Sequence, residues 1–270
     1  MKRYYEHHID IRKNKLCPFI FRYSENVFSA PCNWHQNIEL LFVTEGSGRM
    51  QYDAEEISMS PDDLFVINVG AIHRPYSVSG ISFYYLIIDE SFCGENGIDT
   101  STLRFTKKVN DSEAKNAYLN VISCMRRYHE DGDPLSVPTL RNAVLSLLLH
   151  LCEKHAHAAT VAKDKGGASE EYVKHVLDYI NDHFQKPIGL NDLAVLCGIT
   201  KFHLSREFKR YTGQTVFTYL NTLRCKHAER CIADGMSVTA AAYESGFESL
   251  SYFSRTYKRL MGTAPSRTRQ

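Results

Sequence analysis

The first hundred residues alternate short apolar runs with turn-forming residues, which is typical of β structure. The runs read "PFIFRYS", "IELLFVTEG", "GRMQYD", "DLFVINV" and "ISFYYLIID", and all lie between residues 16 and 105. They are rich in β-branched and aromatic residues and are separated by Gly, Pro, Asp or Ser. Short strands at this spacing predict a sandwich or a barrel.

Beyond residue 110 the apolar spacing becomes helical. Residues 112–130 and 138–155 place apolar side chains at intervals of three and four, which predicts two helices, the second starting at Pro138. The stretch "LSLLLHLC" is apolar on nearly all sides, more than one packing contact requires. We therefore expect one stripe of this helix to cover the barrel and another to meet a second subunit. A helix buried wholly within its own domain is the alternative.

A small, polar, glycine-containing segment separates this region from a second helical one. Residues 156–169, "AHAATVAKDKGGAS", read as a linker, and Ser169 is the expected N-cap of the next helix. The C-terminal hundred residues then read as helices throughout. The predicted organisation is a barrel at 1–110, a helical dimerisation segment at 111–156, a linker at 157–169 and a helical domain at 170–270 with a long helix at 215–233.

One phrase occurs twice in the helical domain. Residues 204–213 read "LSREFKRYTG" and residues 253–262 read "FSRTYKRLMG". Each copy follows a short helical stretch that ends in a glycine, Gly198 or Gly246, with an alanine four residues earlier. The alanine allows close helix packing, and the glycine allows a turn with positive φ. This arrangement predicts two helix-turn-helix units, whose second helices enter the major groove.

Within each copy the apolar and basic side chains fall on different sides of the expected helix. Arg and Ser near the helix start can reach guanine edges, and basic residues further along, such as Lys209, can reach phosphates.

The spacing between the two copies also suits DNA. The intervening helix of about 19 residues spans roughly 29 Å, which with its turns places the two reading helices about 34 Å apart. Two amphipathic core helices with solvated charges are the alternative. The expected apolar contacts are Phe202, Leu204, Phe208, Tyr211, Phe253 and Tyr257.

Charge is distributed unevenly along the chain. From Lys201 to the C-terminus there are 12 Lys and Arg against 5 Asp and Glu, a net charge of +7, so the first 200 residues carry −6 of the total of +1. A basic C-terminal region on an acidic remainder indicates a nucleic-acid-binding domain. The eight cysteines form no CxxC pair and are expected to be buried free thiols.

Residues 170–270 resemble the DNA-binding domain of AraC/XylS-type regulators, in which two helix-turn-helix units are joined by a linking helix. Tyr257 stands where Phe is usual and Thr268 where Tyr is usual. The matching residues are Gly246, Phe247, Phe253, Ser254, Arg255, Lys258, Gly262, Pro265 and Ser266. The resemblance implies DNA-facing positions at Lys201, Phe202, Ser205 and Arg206 in the first reading helix and at Leu250, Ser251, Ser254 and Arg255 in the second.

A second constellation lies in the β region. If the segment "NWHQNIELLFV" is extended, Asn33, His35, Asn37, Glu39, Leu41 and Val43 share one face. With His73 from a later strand, this pattern resembles the first and second motifs of the cupin double-stranded barrel. The first motif has Asn33 in place of a histidine, and Asp62 and Val69 replace the usual Gly and Pro of the second.

Because Asn is a poor ligand for transition metals, this sequence favours a polar small-molecule pocket over a metal site. The candidate effector-binding residues are Trp34, His35, Glu39 and His73. Polar residues at a barrel rim without a ligand are the alternative reading. No metal and no other cofactor are expected.

The combined expectation is an α+β protein. It has an N-terminal cupin-like double-stranded β-barrel with a helical dimerisation segment, then an all-α C-terminal domain with two helix-turn-helix units. AraC-type resemblance implies a non-enzymatic, homodimeric transcription regulator with double-stranded DNA, a small-molecule effector and RNA polymerase as candidate partners, a sugar being one effector class. With no apolar N-terminal run and no long apolar window, we expect a cytoplasmic protein without a membrane span. The alternative is a metal-dependent cupin-type enzyme with a helical appendage.

Overall fold

A computed structural model describes residues 16–130, 133–159 and 167–267. The chain divides into two compact units, one mostly before residue 165 and one that combines Pro31–Asn33 with the chain from residue 166 onward. The N-terminal segment expected to lack a signal peptide, most of the predicted linker, and Thr268 lie outside the described residues. Within the described ranges, no helix combines the length and apolarity needed to cross a bilayer.

The first unit is built on one antiparallel sheet. Its strands run in the order β4-β3-β6-β2-β5-β8, and β1 pairs with β6. The 16-residue β6 pairs with β3 along its first half and with β1 and β2 along its second, so the sheet curls into a half-barrel. The strands are β1 Phe19–Ser29, β2 Ile38–Gly46, β3 Gly48–Tyr52, β4 Glu55–Met59, β5 Leu64–Ile67, β6 His73–Ile88 and β8 Lys108–Val109.

Helices cover the outer face of this sheet. They are α1 Glu90–Glu95, α2 Ser112–Glu130 and α3 Ser136–His155. Side chains of β2 alternate between two cores: Leu40 and Phe42 pack with the helices, and Leu41 and Val43 pack inside the half-barrel. Burial on both faces explains why β2 reads as an unbroken apolar run. The mixed α+β class, with the sheet before the helical domain, is therefore confirmed.

The predicted helix at 138–155 begins two residues earlier, so Pro138 lies in its first turn, where the missing N–H is tolerated. Its buried stripe faces the sheet, while Leu149 on the same helix remains 52% exposed. This exposed leucine is compatible with the expected second contact, and the homodimer remains a prediction.

The linker prediction was too long at both ends. Ala156–Ala158 forms β9, which pairs with β7, Leu103–Phe105. At the other end α4 begins at Ala168 with Gly167 at the N-cap position, so Ser169 lies inside the helix rather than capping it. A polar composition does not prevent strand pairing where a short partner strand is available, and this explains the error.

The second unit contains six α-helices within its described residues. They are α4 Ala168–His183, α5 Leu190–Leu196, α6 Lys201–Thr212, α7 Val216–Ala233, α8 Val238–Glu244 and α9 Leu250–Met261. The central helix α7 packs against α6 on one side and against α8 and α9 on the other. Arg224 of α7 donates from Nε to Phe184 O at 2.6 Å and from Nη2 to Lys186 O at 2.8 Å, which ties the end of α4 to α7.

Candidate functional site

The two turns between paired helices share the same hydrogen bonds. Ile199 N–H donates to Ala194 O at 3.0 Å, and 48 positions later Phe247 N–H donates to Ala242 O at 3.1 Å. Gly198 and Gly246 have φ values of 67° and 85°. Both alanines are buried. Each expected helix-turn-helix unit therefore has the small packing residue and the left-handed glycine that the sequence predicts.

Both second helices begin and end alike. Thr200 Oγ1 accepts from His203 N–H at 3.2 Å, and Ser249 Oγ accepts from Tyr252 N–H at 3.3 Å. Each helix then ends at a left-handed glycine, Gly213 or Gly262. Side-chain N-caps of this kind leave the remaining first-turn N–H groups free to meet an anion such as a phosphate.

The predicted DNA-facing residues lie on one accessible side of these helices. Phe202 is 78% exposed, so its expected apolar contact is wrong, although a DNA-facing position remains open to it. Ser254 is half-buried. The other exposed members are Lys201, Ser205, Arg206, Lys209, Leu250, Ser251 and Arg255.

Glu207, which connects two arginines of α6, was not among the residues predicted from the sequence. Arg206 Nε donates to Glu207 Oε1 at 3.1 Å, and Arg210 Nη2 donates to Oε2 at 2.6 Å. Burial would raise the pKa of the Glu207 carboxyl, but the two guanidinium groups outweigh it and lower the pKa. The equivalent position in the second copy is the buried Thr256, so the two units differ at this point. An acidic residue within a basic phrase was the available signal.

In the first unit, three of the four candidate effector residues converge on one point inside the half-barrel. His35 Nε2 lies 2.9 Å from Glu39 Oε2, and His73 Nε2 lies 3.3 Å from the same oxygen. All three side chains are buried. Trp34 is half-buried and adjoins this cluster in the chain. We call His35, Glu39 and His73 the sensor triad.

The triad is assembled from a loop and two strands. Glu39 lies on β2 between Ile67 of β5 and Ile87 of β6, and His73 is the first residue of β6. Residues 33–37 are not a continuous strand, so the expected alternation from Asn33 fails. Instead His35 reaches Glu39 from a bend, which is held to the β5–β6 loop by the bond from Gly70 N–H to His35 O.

Backbone carbonyls hold the outer nitrogen of each imidazole. His35 Nδ1 lies 2.9 Å from Asn37 O, and His73 Nδ1 lies 3.1 Å from Ala71 O. If these Nδ1 atoms donate to the carbonyls, each Nε2 can donate to the Glu39 carboxylate only from a doubly protonated ring and otherwise acts as an acceptor. The carboxylate of the triad can accept hydrogen bonds from a polar ligand, and the three ligand atoms of the triad, within 4.8 Å of one another, could also hold a cation.

Charge pairing dominates the electrostatics of the triad. Burial would raise the pKa of the Glu39 carboxyl, but the charge of His73 and the hydrogen bonds from both imidazoles hold its pKa well below the usual range. Burial would lower the pKa of His73, but the charge of Glu39 outweighs it and raises the pKa. The triad therefore contains a carboxylate that favours positive or hydrogen-bond-donating partners.

Each of the two units of the chain has a match among known protein families. Residues 14–149 match the model of the AraC-like ligand binding domain, and residues 193–270 match a helix-turn-helix domain. The fold resembles apo ToxT from Vibrio cholerae, with a TM-score of 0.50 and 15% identity over 92% of this chain and 95% of that one.

Two relatives are named as regulators. An uncharacterized HTH-type transcriptional regulator of Staphylococcus aureus is 26% identical over 84% of this chain, which spans 31% of that relative's length. The uncharacterized HTH-type transcriptional regulator YbfI of Bacillus subtilis is 24% identical over 86% of this chain and 84% of its own length. With a ligand-binding-domain match over half of its length and a helix-turn-helix match over residues 193–270, the chain belongs to the AraC family of transcription regulators.

Proposed function

We propose that this chain is a sequence-specific DNA-binding regulator whose first unit binds a small-molecule effector at the sensor triad. The observation that supports DNA reading is the repeated unit, in which an accessible basic helix follows a left-handed glycine turn. Arg206 and Arg255 occupy the same position in the two copies. An arginine near the start of a reading helix is suited to bidentate contact with guanine.

The effector part of the proposal is supported by the triad's chemistry. Removing a carboxylate and two imidazoles from water costs free energy. A polar ligand that forms hydrogen bonds with these groups would offset that desolvation cost. A hydroxyl-rich molecule such as a sugar fits, because its hydroxyls both donate and accept hydrogen bonds. A ligand that binds one arrangement of the protein more tightly would shift the population toward that arrangement.

We further propose that the protein acts as a homodimer in the cytoplasm and in contact with RNA polymerase. A two-fold dimer would match paired half-sites on DNA, and the exposed Leu149 of α3 is a candidate contact. No enzymatic step is assigned to the triad.

The test is selection of bound fragments from a genomic DNA pool, followed by affinity measurement on the selected site. Arg206→Ala and Arg255→Ala are each expected to weaken binding about 5- to 150-fold, the cost of a lost guanine contact. Lys209→Ala should weaken all sequences about equally and reduce the salt dependence. The control is Arg22→Ala on β1, which should bind like the unmodified chain. Unchanged affinity in both arginine variants would disprove the assignment.

The effector part has a separate readout. A panel of monosaccharides and disaccharides is screened for a rise in melting temperature, and then for a change in DNA affinity. His73→Gln should retain DNA binding and lose both responses. If the response to a screened sugar survives in His73→Gln, the sugar binds elsewhere.

A further inference from the structure

A second cluster of histidines and a carboxylate lies apart from the sensor triad. Asp111 follows β8 by two residues, and His150 and His155 lie in the last two turns of α3. His155 Nε2 is 3.0 Å from Asp111 Oδ2, and His150 Nε2 contacts the same oxygen. The three side chains are 18–23% exposed, so they are shielded but within reach of solvent.

The carboxylate is oriented by a contact outside the cluster. Asp111 Oδ1 accepts the Glu113 N–H at 2.9 Å, which leaves Oδ2 for the two imidazoles. Glu113 Oε2 lies 3.8 Å from His150 Nδ1, on the far side of that ring. Metal-binding histidines commonly direct their second ring N–H toward a carboxylate, which fixes the tautomer that leaves Nε2 as the ligand.

From these contacts we propose that Asp111, His150 and His155 bind a divalent first-row transition-metal ion, with Zn²⁺ the best fit. Two imidazoles and a carboxylate form a suitable ligand set, and water can supply a fourth ligand on the exposed side. At metal–ligand distances of about 2.1 Å, neighbouring ligand atoms lie roughly 3–3.5 Å apart. The contact between His155 and Asp111 already has this length.

The bound ion would link the β8–α2 loop to the end of α3. The His155 carbonyl already accepts the Thr106 N–H at 2.9 Å, so the backbone also joins this turn to the segment between β7 and β8. A metal ion would link the two segments through side-chain ligands as well, at the point where the chain leaves α3. The inference goes beyond the proposed regulatory function and does not depend on it, because its test measures metal content.

The experiment uses the full chain, freed of metal with a chelator and then titrated with Zn²⁺. Asp111→Asn and His155→Gln keep side chains of similar size, and the Gln amide can still donate a hydrogen bond to Asp111. Both variants keep the sensor triad, so any ion held there contributes equally in all samples. The matched control is His157→Ala, which removes an exposed imidazole two residues beyond His155.

The expected result is that the unmodified chain and His157→Ala bind one more equivalent of Zn²⁺ than Asp111→Asn and His155→Gln. Zn²⁺ should also raise the melting temperature of the unmodified chain and of His157→Ala by more than it raises that of Asp111→Asn and His155→Gln. Equal stoichiometry and affinity in all four proteins would overturn the proposal. If one variant does not fold, as judged by circular dichroism, the other and His150→Gln provide the same comparison.

Discussion

The ion pair of Glu39 and His73 makes the stability of the folded state depend on pH at both ends of the range: the Glu39 contribution is lost in acid and the His73 contribution is lost in base. The lowered pKa of Glu39 contributes stability above about pH 4.3, and this is lost as pH falls through the folded-state value. The raised pKa of His73 contributes stability that is complete below about pH 6.5 and is lost as pH rises through its folded-state value. The pair therefore favours the folded state most between these limits.

This predicts a pH-dependent cost for His73→Gln. At pH 6 the variant should be less stable by roughly 3–5 kcal/mol, because a buried carboxylate loses its charged partner. The difference should shrink as the pH rises above about 6.5 and through the raised pKa of His73, because His73 then loses its charge in the unmodified chain. Urea unfolding across this pH range measures it. His157→Gln, an exposed control, should show no such trend, and a constant difference for His73→Gln would contradict the assignment.

Glu207 restrains the arginines of the first reading helix. Glu207→Gln should tighten DNA binding by roughly 0.5–1 kcal/mol, because Arg206 would no longer have to break its ion pair with Glu207 before it contacts DNA. The expected gain is small because 72% of the Arg206 side chain is exposed, so water already weakens that ion pair. Affinity for the selected DNA site measures the change. Glu171→Gln on α4 removes the same charge without touching an arginine and serves as the control. An equal gain in the two variants would show that net charge alone is responsible.

For the reading helices and the sensor triad, the sequence predicted which residues are involved better than it predicted the contacts they make. The periodicity of the repeated phrase correctly placed Leu204, Phe208, Phe253 and Tyr257 in the core. The motif pattern likewise selected His35, Glu39 and His73, but it assumed a strand where the chain bends. Asp111 lies 39 and 44 positions from its histidines, and no local spacing relates them. Their convergence depends on tertiary packing, which periodicity does not encode.

At the scale of whole elements, the two turn glycines have different surroundings. A Cβ at Gly246 would lie 2.5 Å from Gln185 O, whereas a Cβ at Gly198 would meet nothing within 4 Å. Both positions have positive φ, which alone costs a non-glycine residue about 1–2 kcal/mol. Gly246 therefore carries a steric requirement as well as a conformational one.

We accordingly predict that Gly246→Ala destabilises the protein by clearly more than the roughly 1–2 kcal/mol expected for Gly198→Ala. The backbone carbonyl of Gln185 cannot move aside as a flexible side chain could. Chemical denaturation of the two variants makes the comparison, and Gly198→Ala is the matched control. Equal losses would mean that the α4–α5 connection yields to the new methyl group.

Strands were recognised from sequence where they are apolar and missed where they are polar or contain a proline. β4, "EEISM", has three exposed residues among its five and carries little apolar signal. The first half of β6, "HRPYSVSG", contains a proline, which normally argues against a strand. Here Pro75 pairs with Met50 of β3, so the curled sheet accepts it. Register in such segments depends on neighbouring strands rather than on their own composition.

Across the whole molecule, acidic and basic charge fall into different parts of the chain. The charge of +7 that follows Lys201 lies in the unit that contains both reading helices. Such separation raises association rates with DNA at low salt and limits electrostatic attraction of the first unit to phosphates. Sequence composition was sufficient to predict this division, because net charge does not depend on how side chains are oriented.

Thr256 replaces Glu207 in the second copy of the repeated phrase, so a hydroxyl side chain follows Arg255 where a carboxylate follows Arg206. The two reading helices therefore differ in the contact that each arginine gives up before it meets a base. A site for one chain should therefore be asymmetric, with a strong and a weak segment in fixed order. Exchanging the two segments of such a site should lower the affinity of the chain for it.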